Sequence, residues 1–199
     1  MGRPSETSAA CSAWDNSGCT GTPYCQPRCP RFFDGEGDPL LVTPFEDDDF
    51  EALVSMYEGL APENRTSSLP PKTREETVEW LETLTDRGWN LVARDGARVV
   101  GHVGVTPVAD GELEFVVFVA DDHQGRGIGT ELVEQLIAYA AARGHDALRL
   151  SVERSNERAI SVYENVCFEV AEERMATIVM ELSLAEPIAD DVQRPPADR

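Results

Sequence analysis

Lysine is almost missing from this chain: Lys72 is the only one in 199 residues, and acidic residues outnumber basic ones 37 to 17, for a formal net charge of -20. A nucleic-acid phosphate backbone is therefore a poor partner and none is expected, because gripping it needs a basic face. Cationic amines suit such a surface better. Long hydrophobic runs are missing too, and with no stretch of 18 apolar residues no membrane span is expected. The N-terminus lacks the basic, then apolar, then small-residue order of a secretory signal, so a soluble, cytoplasmic protein is expected. Paired C-x2-C knuckles are absent. Cys11, Cys19, Cys25 and Cys29 run as C-x7-C-x5-C-x3-C and Cys167 stands alone, so no metal site is expected. A charge excess of this size repels itself unless salt screens it, which points to a high-salt cytoplasm and a halophile source, with an acidic mesophile protein as the other reading.

What is present is enough apolar material, 41%, to bury one sizeable core. Residues 1–38, rich in Cys, Pro and Gly, read as a disordered extension, 39–185 as one domain, and 186–199 as a flexible acidic tail. Leu40–Thr43 reads as a strand and 46–57 as a helix, with Phe50, Leu53, Val54 and Tyr57 at helical spacing. Thr73 and Glu76 form a capping box for a second helix reaching about Asp86. Runs at 89–94 and 98–105 are joined by Asp95-Gly96, and Asp110-Gly111 links the second run to 112–120, whose Phe115-Val116-Val117-Phe118-Val119 predicts a central strand. Apolar residues from Ile128 to Ala141 predict the strongest helix, ended by Gly144. A strand at 147–152, a helix at 156–165 and strands near 168–170 and 176–184 complete the order β-α-α-β-β-β-α-β-α-β-β. That order is an α/β mixed sheet of six to seven strands, mostly antiparallel, with helices on both faces.

Between the central strand and the strongest helix lies Asp121-Asp122-His123-Gln124-Gly125-Arg126-Gly127-Ile128-Gly129-Thr130. The first amides of a helix lack intrahelical partners and the helix dipole is positive there, so a diphosphate can dock on main-chain donors. Glycine at 127 and 129 lets the backbone come close. The dinucleotide spacing G-x-G-x-x-G would need glycine where Thr130 stands, and a Walker A loop would need a lysine; neither fits.

The string Gln124-x-x-Gly127-x-Gly129 resembles the Q/R-x-x-G-x-G/A coenzyme A motif of the GNAT superfamily of N-acetyltransferases, in that superfamily's place after the fourth strand. Asn156-x-x-Ala159-x-x-x-Tyr163-x-x-x-Cys167-Phe168 resembles its N-x-x-A-x-x-x-Y-x-x-x-G-F segment, with cysteine in place of glycine at 167. The resemblance covers roughly residues 40 to 184. It implies acetyl-CoA as co-substrate, no metal, and an amine acceptor, protein or small molecule, served by a monomer or homodimer.

Site residues follow from the same resemblance. Gln124, Gly125, Arg126, Gly127, Ile128, Gly129 and Thr130 would hold the diphosphate. A main-chain N–H near Phe118 or Val119 would polarise the thioester, and Asn156 would bond the coenzyme, cap its own helix, or both. Glu114, ten residues before Gln124 where several protein-acetylating members of the superfamily have glutamate, is the base that the resemblance implies, and apolar strand neighbours would bring its carboxyl closer to the proton affinity that amine deprotonation needs; a solvated strand-end glutamate is the other reading, and Glu112 the runner-up. Tyr163 would protonate the leaving thiolate, or else is a core aromatic. His123 and Asp122 are expected to be exposed with Asp121 facing solvent, Arg126 to offset their charge, and Cys167 to be a small buried residue. Lysine side chains or protein N-termini are the first-choice acceptors, polyamines and amino acids second, and Met56–Pro71 resembles the acceptor-covering segment in position.

Overall fold

The computed structural model describes residues 27–64, 70–107 and 113–195, together with Cys19, Gly21, Cys25 and Asp198. Its strands are β1 (Arg31–Phe33), β2 (Pro39–Pro44), β3 (Trp89–Asp95), β4 (Arg98–Pro107), β5 (Leu113–Val119), β6 (Ala147–Glu153), β7 (Glu169–Glu173) and β8 (Thr177–Ser183). The helices are α1 (Phe50–Glu58), α2 (Arg74–Arg87), α3 (Ile128–Ala142), α4 (Glu157–Asn165) and the short α5 (Ile188–Asp191). The described strands form one eight-stranded sheet in the order β1-β2-β3-β4-β5-β6-β8-β7. Every neighbouring pair is antiparallel except β5 and β6, which the α3 crossover makes parallel.

Alternation along β4 sends the helices to opposite faces. A Cβ on Gly101 would lie 2.9 Å from Leu132 of α3, and one on Gly104 would lie 2.5 Å from Leu84 of α2. Both glycines let a helix settle directly on the strand. Odd-numbered β4 residues thus face α3, and even-numbered ones face α1 and α2. Leu53, Leu81, Leu91, Leu132, Leu136 and Leu148 are fully buried between these layers, each contributing roughly 1.5–3 kcal/mol by leaving water. Tyr57 of α1 is latched to the sheet by a buried bond from its hydroxyl to His102 Nδ1 (2.7 Å), while His102 Nε2 reaches Asn90 Oδ1 (3.0 Å).

The structure departs from the expected boundaries at both ends. The extension expected to be disordered to residue 38 is ordered over 27–38, because Arg31–Phe33 pairs with Pro39–Leu41 and adds the eighth strand. Arg28 also anchors this segment, donating to Glu131 Oε1 (2.8 Å) and to the Val192 carbonyl (2.7 Å). The tail expected to be flexible from 186 contains α5, whose Ala189 and the following Val192 are buried. Neither contact is periodic enough to read from sequence. The expected first helix opens as a 3-10 turn, Asp47–Asp49, before α1. The capping box at Thr73 is present, Glu76 N donating to Thr73 Oγ1 at 3.2 Å and Thr73 N to Glu76 Oε2 at 3.4 Å. The β3–β4 turn is shifted by one residue: Asp95 pairs with Arg98, and Gly96-Ala97 fill the turn with only Gly96 at positive φ (+55°). The link expected at Asp110-Gly111 lies outside the described residues, as does Glu112.

Candidate active site

The sheet opens where β5 and β6 part. They pair only at Leu113 with Leu148 and Glu114 with Arg149, beyond which the rest of β5 has no strand on that side among the described residues. Which main-chain groups face the opening follows from one bond. Ala120 N donates to Val100 O (2.9 Å), across to β4. Strand alternation then turns the N–H of Phe118 to β4 and those of Val117 and Val119 to the opening. Of the two expected polarising donors, only Val119 points the right way. The Phe118 ring packs instead against Tyr57, with centroids 5.3 Å apart.

At the wide end of this opening stands the N-terminus of α3. Gly127 occupies the N-cap position at φ +83°, and no side chain caps the helix. The N–H groups of Ile128, Gly129 and Thr130 have no hydrogen-bond partner among the described residues; the first amide to be engaged is that of Glu131, which donates to Gly127 O at 3.1 Å. Three free amides and the positive end of a 15-residue helix thus point outward together. A Cβ at 127 would meet nothing within 4 Å, and one at 129 only Val119 Cγ2 at 3.8 Å. The chain's own packing does not demand glycine at 129, so the space is free for a ligand. The residues present therefore fit a diphosphate.

The side chains of the loop have other work than expected. Arg126 does not offset Asp121 and Asp122: it turns away and ion-pairs with Asp34, Glu36 (3.4 Å) and Asp38 (2.6 Å). Asp34 has no exposed side-chain area. Burial works against its charge, but the amides of Asp38 and Glu36 and the Arg126 guanidinium outweigh it and hold the carboxyl below the usual range. Asp121 is tied down as well: its carboxylate accepts from Ala61 N (2.6 Å), Asn64 Nδ2 (2.8 Å) and Gln124 Nε2 (3.3 Å), joining the segment after α1 to the loop. Asp122 is exposed and pairs with Arg98 (2.7 Å). His123, expected at the surface, is buried against Asp122 (2.8 Å). Gln124 spans the loop, donating to Val119 O (3.1 Å) and accepting from Arg158 Nη1 (3.0 Å).

The second motif comes to the same place through β6 and α4. Asn156 caps α4, its Oδ1 accepting from Ala159 N (3.1 Å), and Arg158 two residues on lies over Gln124 and Gly125. Tyr163, half-buried, packs edge-on to Phe115 and tilted against Phe168, with centroids 6.1 and 5.8 Å away. Its hydroxyl has no hydrogen-bond partner among the described residues, and burial pushes its pKa up to about 12. Cys167 holds the left-handed conformation that glycine favours, at φ +68°. Cys167 N donates to Glu164 O and Phe168 N to Tyr163 O, both at 3.0 Å, the paired bonds of a Schellman motif with its apolar contact between Tyr163 and Phe168. Cysteine thus keeps the turn, but it is exposed rather than buried as expected, because a left-handed residue past a helix end points its side chain outward. Glu114 is exposed as well, without the apolar surroundings expected for it. It lies on the α1 and α2 face of β5, and Phe115 with Tyr163 on the α3 face.

Residues 53–167 match the acetyltransferase (GNAT) family. This chain belongs to that family. A mycothiol acetyltransferase from Propionibacterium freudenreichii subsp. shermanii is 31% identical over 140 residues, covering 66% of this chain and 43% of the relative. The chain spans about half the length of the curated relatives it matches. Among solved structures, the GNAT domain of S. lividans PAT superposes with a TM-score of 0.68 at 23% identity, covering 77% of this chain and 95% of that one. The yncA structure from Salmonella typhimurium, with its cofactor acetyl-CoA, superposes with a TM-score of 0.61 at 19% identity, covering 74% and 95%. At such identities the likeness is one of fold, and it is the GNAT fold.

Within this GNAT fold, sequence reasoning missed two residues. Arg158 holds no motif position of its own, and its place two positions after the helix-capping Asn156 is the signal the sequence offers. Asp34 lies in a stretch rich in Cys, Pro and Gly, and nothing in the string of letters ties it to a loop some ninety residues later. No group of three or more metal-ligating side chains occurs among the described residues, and no described helix is long and apolar enough to cross a membrane.

Proposed function

We propose that the chain is an N-acetyltransferase that moves the acetyl group of acetyl-CoA to a primary amine. The observation that carries this reading is the parting of β5 from β6 directly beside an uncapped glycine-bordered helix N-terminus. The opening offers main-chain donors of Val117 and Val119 to an extended arm, and the free amides of Ile128, Gly129 and Thr130 receive a diphosphate at its end. Acetyl-CoA supplies an activated thioester whose carbonyl can be polarised and whose sulfur can leave. A main-chain N–H that faces the opening is the donor that stabilises negative charge on the carbonyl oxygen, and of the two Val117 lies nearer Glu114 and Tyr163 while Val119 lies beside Gly129. Gln124, Gly125, Gly127 and Arg158 border the diphosphate, and Arg158 is the cation there that no carboxylate engages among the described residues. Asn156 acts by capping α4 and so fixing Arg158. Arg126 serves the loop from behind.

Glu114 and Tyr163 stand on opposite faces of β5 at the narrow end of the opening. That arrangement suits an amine approaching from the α1 side, giving up its proton toward Glu114 through water, while the thiolate departs on the α4 side and takes the Tyr163 proton. Burial keeps that phenol protonated, ready to donate. The acceptor is a protein lysine or N-terminal amine in our first reading, and the acidic surface draws cationic amines of either kind. The similarity to a mycothiol acetyltransferase favours a small-molecule amine as the second. A high-salt cytoplasm remains the setting that the charge suggests. Incubation in high salt with acetyl-CoA and a panel of peptides, polyamines and amino acids, read by mass spectrometry and free thiol, tests both readings. Acetylated peptide alone supports the first and acetylated small amine alone the second. Coenzyme binding without turnover on any acceptor would make this a sensing domain.

A further inference from the structure

The ordered N-terminal segment crosses behind the anion loop and touches it at four points. Gly35 N donates to Arg126 O at 2.8 Å, and the Arg126 guanidinium contacts the carboxylates of Asp34, Glu36 and Asp38. The main-chain bond fixes a direction. In a trans peptide the carbonyl and the following N–H point opposite ways, so a 126–127 peptide whose carbonyl faces Gly35 turns the Gly127 N–H away from the segment, to the side of the free α3 amides. Asp34 is itself held rigidly. Its Oδ1 accepts from Glu36 N at 3.0 Å and Asp38 N at 2.9 Å, closing a tight turn that leaves no side-chain area exposed. The same segment is pinned to α3 further along, where Arg28 donates to Glu131 Oε1 and Oε2, both at 2.8 Å, and Gln135 Nε2 donates to Cys29 O at 2.7 Å. Both the loop and the helix behind it are therefore gripped by one strap.

We infer that residues Arg28–Asp38 form a positioning strap for the coenzyme's diphosphate, with Asp34 as its key residue acting through Arg126. Asp34 touches no substrate; it holds the loop in the conformation that presents the Gly127 to Thr130 amides, and it diverts Arg126 from the ligand to that task. An unstrapped loop must be ordered at the moment of binding, and that ordering is taken out of the affinity. This inference rests on the coenzyme assignment above, and it concerns only the part of the coenzyme that carries phosphate.

The test is calorimetric binding of coenzyme A to the full chain, alongside steady-state kinetics with acetyl-CoA and with S-acetylpantetheine, a donor with no diphosphate. Asp34→Asn should raise the coenzyme A dissociation constant and the KM for acetyl-CoA by about 5- to 30-fold, the effect of a change of one or two kcal/mol. The rate at saturating acetyl-CoA and all constants for S-acetylpantetheine should stay as in the wild type. Asp34→Glu, which keeps the charge, should recover part of the affinity. Unchanged coenzyme affinity in a folded Asp34→Asn overturns the strap, and so does an equal loss with S-acetylpantetheine, which would mean a general loosening of the fold. If Asp34→Asn does not fold, Asp38→Asn removes an exposed carboxylate from the same guanidinium, and its affinity must move in the same direction or the inference fails. Failure of the wild type to bind coenzyme A is a separate outcome, which removes the site assignment itself.

Discussion

Replacing Gly129 with alanine separates what the fold wants from what the ligand wants. Gly129 sits in the first turn of α3, outside the positive-φ glycines, and a Cβ added there meets only Val119 Cγ2, at an ordinary 3.8 Å. Alanine therefore strains nothing, and it removes the backbone entropy that glycine loses on folding, a gain of about 0.5–1 kcal/mol. For a chain of 199 residues this raises the melting temperature by roughly 1–4 °C. The same methyl stands among the free amides of Ile128, Gly129 and Thr130. Displacing a phosphate oxygen from one charge-assisted bond forfeits about 1.5–3 kcal/mol, or on the order of 10- to 100-fold in coenzyme affinity. Thermal melting of the ligand-free protein and calorimetric titration with coenzyme A give both numbers from one preparation. Stability should rise while affinity falls. A variant that gains stability and binds coenzyme A as tightly as the wild type would falsify the placement of the diphosphate.

Tyr163→Phe should leave the melting temperature and the KM for acetyl-CoA nearly unchanged, because its hydroxyl has no partner among the described residues, and should lower kcat about 10²- to 10⁴-fold; an unaltered kcat removes Tyr163 as the acid. Cys167→Gly relieves a left-handed cysteine at φ +68°, and urea unfolding should show up to about 1 kcal/mol of added stability; a loss of stability would contradict that reading of the helix end. Burial lowers the His102 pKa to about 3, so the folded state binds fewer protons than an unfolded chain titrating near 6.5. The contribution is complete above pH 6.5 and is lost as pH falls toward 3, at up to about 1.4 kcal/mol per unit, and His102→Gln should flatten that slope in urea midpoints taken from pH 7 to pH 4.

How far the sequence alone reaches depends on whether a feature is local or needs the chain brought together. The capping box at Thr73 and Glu76, the long amphipathic α3 and the position of the Gln124-to-Gly129 loop between β5 and α3 are encoded within a few residues, and they stand as expected. The turn at Gly96-Ala97 shows the limit of local reading: Asp95-Gly96 supplies the right residues, but a bulge between Ala93 and Arg94 sets the register and moves the turn one residue on. Face and exposure are harder still. A nearly unbroken apolar run from Phe115 to Val119 reads as a buried central strand, yet residues 116 to 119 are only half-buried, because β6 leaves β5 after Glu114. Polar contacts across long separations are invisible in composition. The strap from Asp34 to Arg126 and the tie from Asn64 to Asp121 both fall in stretches that look like linkers.

The charge of the chain poses a problem at this site, since the anionic coenzyme must approach a protein carrying a net -20. Close to the loop the carboxylates are already engaged: Asp34 by Arg126, Asp121 by Ala61 and Asn64, and Asp122 by Arg98 and His123. The α3 dipole and Arg158 are left to act at short range, while the repulsion comes from the many acids farther away. Salt treats the two ranges differently. Raising ionic strength from 0.1 to 1 M shortens the screening length from about 10 to 3 Å, which removes distant repulsion while sparing amide–phosphate contacts within about 3 Å. Coenzyme A should therefore bind more tightly as KCl rises toward 1 M, the reverse of the salt dependence of a site built on a basic patch. Calorimetric titrations between 0.1 and 1 M KCl measure it directly. A steady loss of affinity across that range would mean that long-range attraction, and not the short-range geometry of the loop, holds the coenzyme.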